Sequence, residues 1–282
     1  MINPNDLKYM IKLLDDPDES IREKVCRDLK RLGGRLDALI EEQGIFLTSS
    51  QRGVVDGIKK EHRRKALEEL IVRLSVDDEK PGDLEEFVIT LSEYLSIDST
   101  HLKIKQKLDS LTEEYKESAS FLDAFSLARY IFKVLGYTGN VEDYFNPLNS
   151  DIYYVLNEHK GIPISLAVLY ILIARRMNIE VSGCNFPGHF MAWFREGEEI
   201  VIVDCFGGGK FLYFDKIRKI SPELYKYIKI SIDHENDDLD IIERMIRNLV
   251  LAFKKTGNQA QSDYFFTLLE ILQSDLITDS EE

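Results

Sequence analysis

The chain has 282 residues, 44% apolar and 30% charged, the balance of a folded globular protein and not of a disordered one. Its formal charge of −14 at pH 7 sets the overall field against nucleic acid and anionic membrane surfaces. Three cysteines, Cys26, Cys184 and Cys205, show no CxxC spacing; they suggest neither a disulfide framework nor a zinc site, and point to a reducing cytoplasm.

The opening stretch MINPNDLKYMIKLLDDPDES has early acids and no unbroken apolar run, so it does not read as a signal peptide. Residues 1–80 read as helices throughout, the first from about Asp6 to Leu14. Ser20-Ile21-Arg22-Glu23 has the spacing of a capping box, and Ile21, Val25, Leu29 and Leu32 then recur at helical spacing up to Gly33-Gly34. The unit DDPDESIREKVCRDLKRLG is similar to a HEAT-type repeat, with Cys26 beside its apolar face as a packing residue. A longer helical pattern covers Ser50–Leu74, and its basic run KKEHRRK, Lys59 to Lys65, reads as a solvated helix face.

The polar stretch Ser75 to Glu86, with Pro81-Gly82, marks a boundary. Three regions follow: helices over 1–80, a core over 83–230, and a helical hairpin with an acidic tail over 231–282. In the core, helices are expected over Asp83–Leu95, His101–Ser118 and Ser120–Leu135, then a loop from Gly136 to Asp151 rich in Gly, Asn and aromatics. A central helix runs from Pro163 to about Met177. The apolar run Ile162 to Ala174, broken only by Ser165, is too short to span a bilayer and fits a buried helix. Strand patterns cover Glu180–Phe186, His189–Phe194, Glu199–Phe206 and Phe211–Phe214, and amphipathic helices cover Asp238–Lys255 and Gln259–Leu272. The fold class is α+β, helix-rich with a small antiparallel sheet.

A two-residue turn at Glu196-Gly197 sets Arg195 opposite Glu198 and His189 opposite Asp204. Opposed side chains on one face reach hydrogen-bonding distance, so Asp204 would orient the imidazole and stabilise its cation. Apolar neighbours on both faces predict a sheet covered on both sides. Such a His–Asp pair is either a catalytic element or a satisfied structural one.

The stretch from GNVEDYFNPLNSDIYYVLNEHKGIPISLA through FPGHFMAWF to IVDCFGGG, and ERMIRNL after it, closely resembles the transglutaminase-like superfamily in its bacterial SirB-type branch. The markers are Gly139-Asn140, Asn149-Ser150, Gly161 to Ala167, Phe186 to Phe190, and Asp204 with Phe206-Gly207. The resemblance spans about Asp83 to Leu272 and leaves residues 1–80 outside it. It implies a papain-like core, a central buried helix on a small antiparallel sheet, flanked here by N- and C-terminal helical hairpins. It also implies a Cys-His-Asp triad whose thiolate is stabilised at the central helix N-terminus. On that pattern His189 and Asp204 fill the His and Asp positions, while Pro163 occupies the cysteine position. Proline suits a first helical turn and cannot be a nucleophile.

Ser165, one turn in, is the candidate substitute nucleophile, or else bonds its own helix backbone. Cys184 and Cys205 read more simply as core thiols. FGGGK, Phe206 to Lys210, lacks the spacing of a phosphate loop, and DHENDDLD, Asp233 to Asp240, lacks the glycine and alternation of a calcium loop. No cofactor or metal is expected. Tyr144, Phe145, Tyr153 and Tyr154 either line a groove or pack the loop onto the core. The expected function is a non-catalytic binding or adaptor module for a protein or peptide, engaging neither nucleic acid nor membrane. The alternative is a cysteine-independent amide hydrolase or acyl transferase, using His189-Asp204 with Ser165 or a nearby Cys. A third reading has the core merely supporting the N-terminal helices.

Overall fold

The computed structural model describes residues 6–76, 83–96, 100–186, 188–233 and 237–274, with the backbone alone at 224 and 233. Pro81-Gly82 of the expected boundary, Pro187 beside the His motif, the middle of the acidic linker and the acidic tail lie outside the described residues. The chain divides into two compact units, Met1–Glu69 and Leu70–Glu282.

The first unit contains α1 (Leu7–Leu13), α2 (Glu19–Lys30), α3 (Arg35–Glu42) and most of α4 (Ser49–Val76). Leu7, Ile11, Leu29, Leu36, Val55 and Ile58 fill its core. The expected capping box does not form. Asp18 is the N-cap of α2: its carboxylate accepts from the Ser20 amide at 2.8 Å and also takes the Ser20 hydroxyl. An ionised carboxylate outcompetes a hydroxyl for the amides at a helix start, and so the helix begins two residues early. The basic run of α4 is laced with ion pairs: Lys59 and Arg63 to Asp37, Arg64 to Glu68, Lys65 to Glu69. His62 Nε2 accepts from the Gly34 amide at 3.1 Å, closing the α2–α3 turn.

In the second unit, α5 (Asp83–Leu95) and α6 (His101–Ser118) match the sequence pattern. The next helix starts late, as α7 (Ala124–Arg129), because Asp123 caps it by accepting from the Ser126 amide at 2.7 Å. It passes into a π-helical turn over Tyr130–Val134. The glycine-rich loop contains β1 (Thr138–Gly139) and a 3₁₀ turn over Pro147–Ser150, followed by α8 (Ile152–Glu158). β2 (Lys160–Gly161) pairs in parallel with β1 and leads directly into α9 (Pro163–Arg175).

Every residue of α9 from Pro163 to Ala174 is buried. Such a helix needs neighbours on all sides, and it has them: α6, α7, α8, α12 and the sheet all pack against it. Its basic C-terminal end is tied down by ion pairs. Arg175 reaches Asp238 at 2.6 and 2.9 Å, and Arg176 reaches Glu85 at 2.8 Å and Asp109 at 2.9 Å.

The sheet is an antiparallel meander of β3 (Ser182–Phe186), β4 (His189–Glu196), β5 (Glu199–Asp204) and β6 (Lys210–Tyr213), in that order. Cys184, Met191 and Ile202 face α10 (Phe214–Ile220) and α11 (Pro222–Asp233), packing with Phe214, Ile217, Ile228 and Ile232. Trp193 lies partly buried on this face, its indole N–H donating to Gly183 O at 3.1 Å. The alternate residues Phe190, Ala192, Val201 and Val203 are buried toward α9. Both faces are therefore covered. The unit closes with α12 (Asp238–Lys255) and α13 (Gln259–Gln273), packed as a hairpin.

Candidate functional site

The β4–β5 turn falls one residue later than the sequence suggests. Glu196 pairs with Glu199, and Gly197 takes φ +62°, the position at which a two-residue hairpin turn favours glycine. The register moves by two, which preserves the face of every side chain. Asp204 lies just beyond the last paired residues, Ala192 and Val203, so His189 meets it diagonally instead of head-on. The two side chains still meet, with His189 Nε2 at 2.9 Å from Asp204 Oδ1.

Asp204 is held from a second side by the Gly207 amide, which donates to Oδ1 at 2.8 Å. A Cβ at Gly207 would collide with the carboxylate, so the tight turn needs glycine there. Burial pushes the Asp204 carboxyl up. The His189 bond, the Gly207 amide and the charges of His189 and Lys210 outweigh it, leaving the group below the usual carboxylate range. With a carboxylate on Nε2, the imidazole carries its proton there, and Nδ1 is the nitrogen left to accept or shuttle a proton. The side chains of His189 and Asp204 remain 30% and 23% exposed, open enough to meet a ligand.

Phe206 links this pair to the start of α9. Its ring stands edge-on to His189, with centroids 6.2 Å apart. Its carbonyl accepts from the Gly139 amide at 3.1 Å, and its ring packs so closely on Gly139 that a Cβ there would strike it. Gly139 is the strand partner of Gly161, two residues before Pro163. The marker glycines thus bring the end of β5 beside the start of α9.

Pro163 sits at the first position of α9, buried, with Ile162 as the N-cap. Ile162 has no side-chain acceptor, and Ser165 supplies one from inside the helix: its hydroxyl accepts from the Ile162 amide at 3.1 Å. It lies 2.6 Å from Asn149 O and 3.1 Å from Ile162 O, acceptors for its own proton. The structure therefore gives Ser165 a capping role with local partners, while it pairs His189 with Asp204. Burial pushes the Cys184 thiol up to about 11, and burial next to Asp204 pushes Cys205 higher still, so both stay protonated at neutral pH.

Two buried asparagines fasten the loop before α8. Asn140 donates to Asn149 Oδ1 at 2.9 Å, and Asn149 donates to the carbonyls of Asp143 and Tyr144 at 2.6 and 3.1 Å. The loop then presents Tyr144, edge-on to Phe206 at 5.8 Å, and Phe145, with the Lys255 ammonium 5.8 Å from its ring centre. Tyr153 goes elsewhere, into a groove of about 420 Å³ with Tyr137, Leu156 and His159. Sequence reasoning did not single out Phe206 or the Asn140–Asn149 pair as parts of the site. Phe206-Gly207, Gly139-Asn140 and Asn149-Ser150 signalled them only as motif letters. Among the described residues no group of three or more His, Cys, Asp or Glu side chains is placed to hold a metal ion.

A buried central helix, a small antiparallel sheet and a His–Asp pair beside the helix start define an α+β, transglutaminase-like core flanked by helices. Residues 99–247 match the family described as the transglutaminase-like superfamily, and the chain belongs to it. A UPF0162 protein of Xylella fastidiosa (strain 9a5c) is 33% identical over 193 residues, 65% of this chain and 69% of that protein. A UPF0162 protein of Vibrio cholerae serotype O1 is 32% identical over 108 residues, 37% of this chain and 38% of that protein. Human F-box only protein 21 is 30% identical over 176 residues, which is 57% of this chain and 26% of that protein. No solved structure matches the chain. Among the described residues no helix is long and apolar enough to cross a membrane.

Proposed function

We propose that this protein is a transglutaminase-like binding or adaptor module that engages a protein or peptide without catalysis. The observation that carries the reading is the occupancy of the nucleophile's seat. Pro163 has no nucleophilic atom, and the hydroxyl of Ser165, two residues on, is committed to capping α9. Buried, protonated Cys184 and Cys205 supply no thiolate. The aromatic wall of Tyr144, Phe145 and Phe206 beside a polar His–Asp floor suits an extended peptide. The similarity to F-box only protein 21 is compatible with a protein-interacting role. Within this reading, residues 1–80 are a HEAT-like helical region, the core belongs to the SirB-type branch, and the chain works in a reducing cytoplasm without a cofactor.

The test exposes the full chain to a fluorophosphonate and to iodoacetamide, beside His189→Ala, and reads adducts by intact mass spectrometry. The expected result is no adduct that depends on His189. A His189-dependent adduct overturns the proposal in favour of the second reading, an amide hydrolase or acyl transferase. That reading draws on one observation, the intact His189–Asp204 bond at 2.9 Å, and would need Ser165 or a cysteine to leave its present partners.

A further inference from the structure

The helix pair α10–α11 carries chemistry that the His189 site does not use. Over α10 and α11 together, five lysines and arginines stand against three acids, in a chain whose total charge is −14. Lys216, Arg218, Lys219 and Lys226 are all exposed. Interleaved with them, Ile220, Tyr227 and Ile230 are 83%, 56% and 60% exposed. Single exposed apolar residues are ordinary, but here three lie on one helix pair among cations.

On α11 the arrangement is two-sided. Ile228 and Ile232 face the sheet, while Glu223, Lys226, Tyr227 and Ile230 recur at i, i+3, i+4 and i+7 on the outer side. The two helices act as one surface, because Phe214 of α10 stacks on Tyr225 of α11 at 4.4 Å and Arg218 lies 5.7 Å from the same ring. The surface also leads to the site. Tyr227 meets Phe186 edge-on at 6.3 Å, and Phe186 is the β3 partner of His189.

We propose that the outer face of α10–α11 docks an acidic protein segment carrying aliphatic residues, which continues past Phe186 toward His189; the endpoint of that path rests on the binding reading given above. Charge selects the occupant. Screening limits each charge to about 10 Å, so a short segment senses the local cations. A nucleic acid or an anionic membrane extends over many such lengths and is opposed by the chain's net charge of −14. Tyr227 and Ile230 serve as the anchors that lose water on docking, and the lysines steer the approach.

The experiment titrates the full chain into a fluorescein-labelled peptide of alternating Glu and Leu, and into its Lys/Leu counterpart, following anisotropy. Phosphatidylserine-containing vesicles are tested in parallel by co-sedimentation. The Glu/Leu peptide is expected to bind, the Lys/Leu peptide not, and added salt to weaken the complex. The double variants K219E/K226E and Y227S/I230S are each expected to weaken it about tenfold with unchanged circular dichroism. Equal binding of the two peptides, or full affinity in both variants, overturns the proposal. Vesicle binding lost in the same variants, with no peptide binding, overturns the occupant and assigns the face to lipid. A His189-dependent covalent adduct would defeat the non-catalytic reading and leave the anisotropy result standing; absent peptide binding would do the reverse.

Discussion

At the residue scale, the His189–Asp204 pair shows how a site survives an error in register. The turn moved by one residue and the pairing by two, and side-chain parity kept both groups on the same side. The folded Asp204 carboxyl titrates below its unfolded value. Its contribution to stability is therefore complete above about pH 4 and is lost as pH falls through the folded value. Asp204→Asn should cost about 2 kcal/mol at neutral pH, and its deficit should close as the solution is acidified below that point. Urea unfolding followed through Trp193, the chain's one tryptophan, measures both. Ser165→Ala separates capping from chemistry. It strands the Ile162 amide, so we expect about 2 kcal/mol of lost stability and no change in probe labelling or peptide binding.

Elements with a strong period and a clear boundary were legible in the sequence. α5, α6 and α12 have the bounds that their patterns suggest, because each repeats an apolar face over three or more turns. The short elements were not legible. α8 is hidden in the aromatic run Ile152-Tyr153-Tyr154, and its start is fixed by Asp151, a carboxylate buried deeply enough that burial pushes it above the usual range. α10 and α11 were missed although Ser221-Pro222 offers a cap and a first-turn proline. Of the site, hairpin spacing and then the motif letters gave His189 and Asp204. The ring of Phe206 and the Asn140–Asn149 bond depend on contacts across distant segments that no local pattern encodes. That bond makes a prediction at this scale. Asn149→Ala removes one acceptor and two donors from a fully buried position, costing about 3 kcal/mol. Amide exchange should speed up in the loop bearing Tyr144 and Phe145, and unchanged exchange there would refute the fastening role.

At the scale of the whole molecule, two compact units imply two sets of unfolding contacts. Trp193 reports the second unit, whereas far-ultraviolet circular dichroism sums over both. The two probes should give thermal transitions that do not coincide, and coincident ones would mean a single cooperative block. The proline that begins α9 has one more consequence, in redox terms. Oxidants attack thiolates, and this helix start offers none, while Cys184 and Cys205 are buried and protonated. Under hydrogen peroxide, half-buried Cys26 of the first unit should be modified before either core thiol, as peptide mass mapping would show. The start of α9, with proline in its first position, holds no thiol for peroxide to reach.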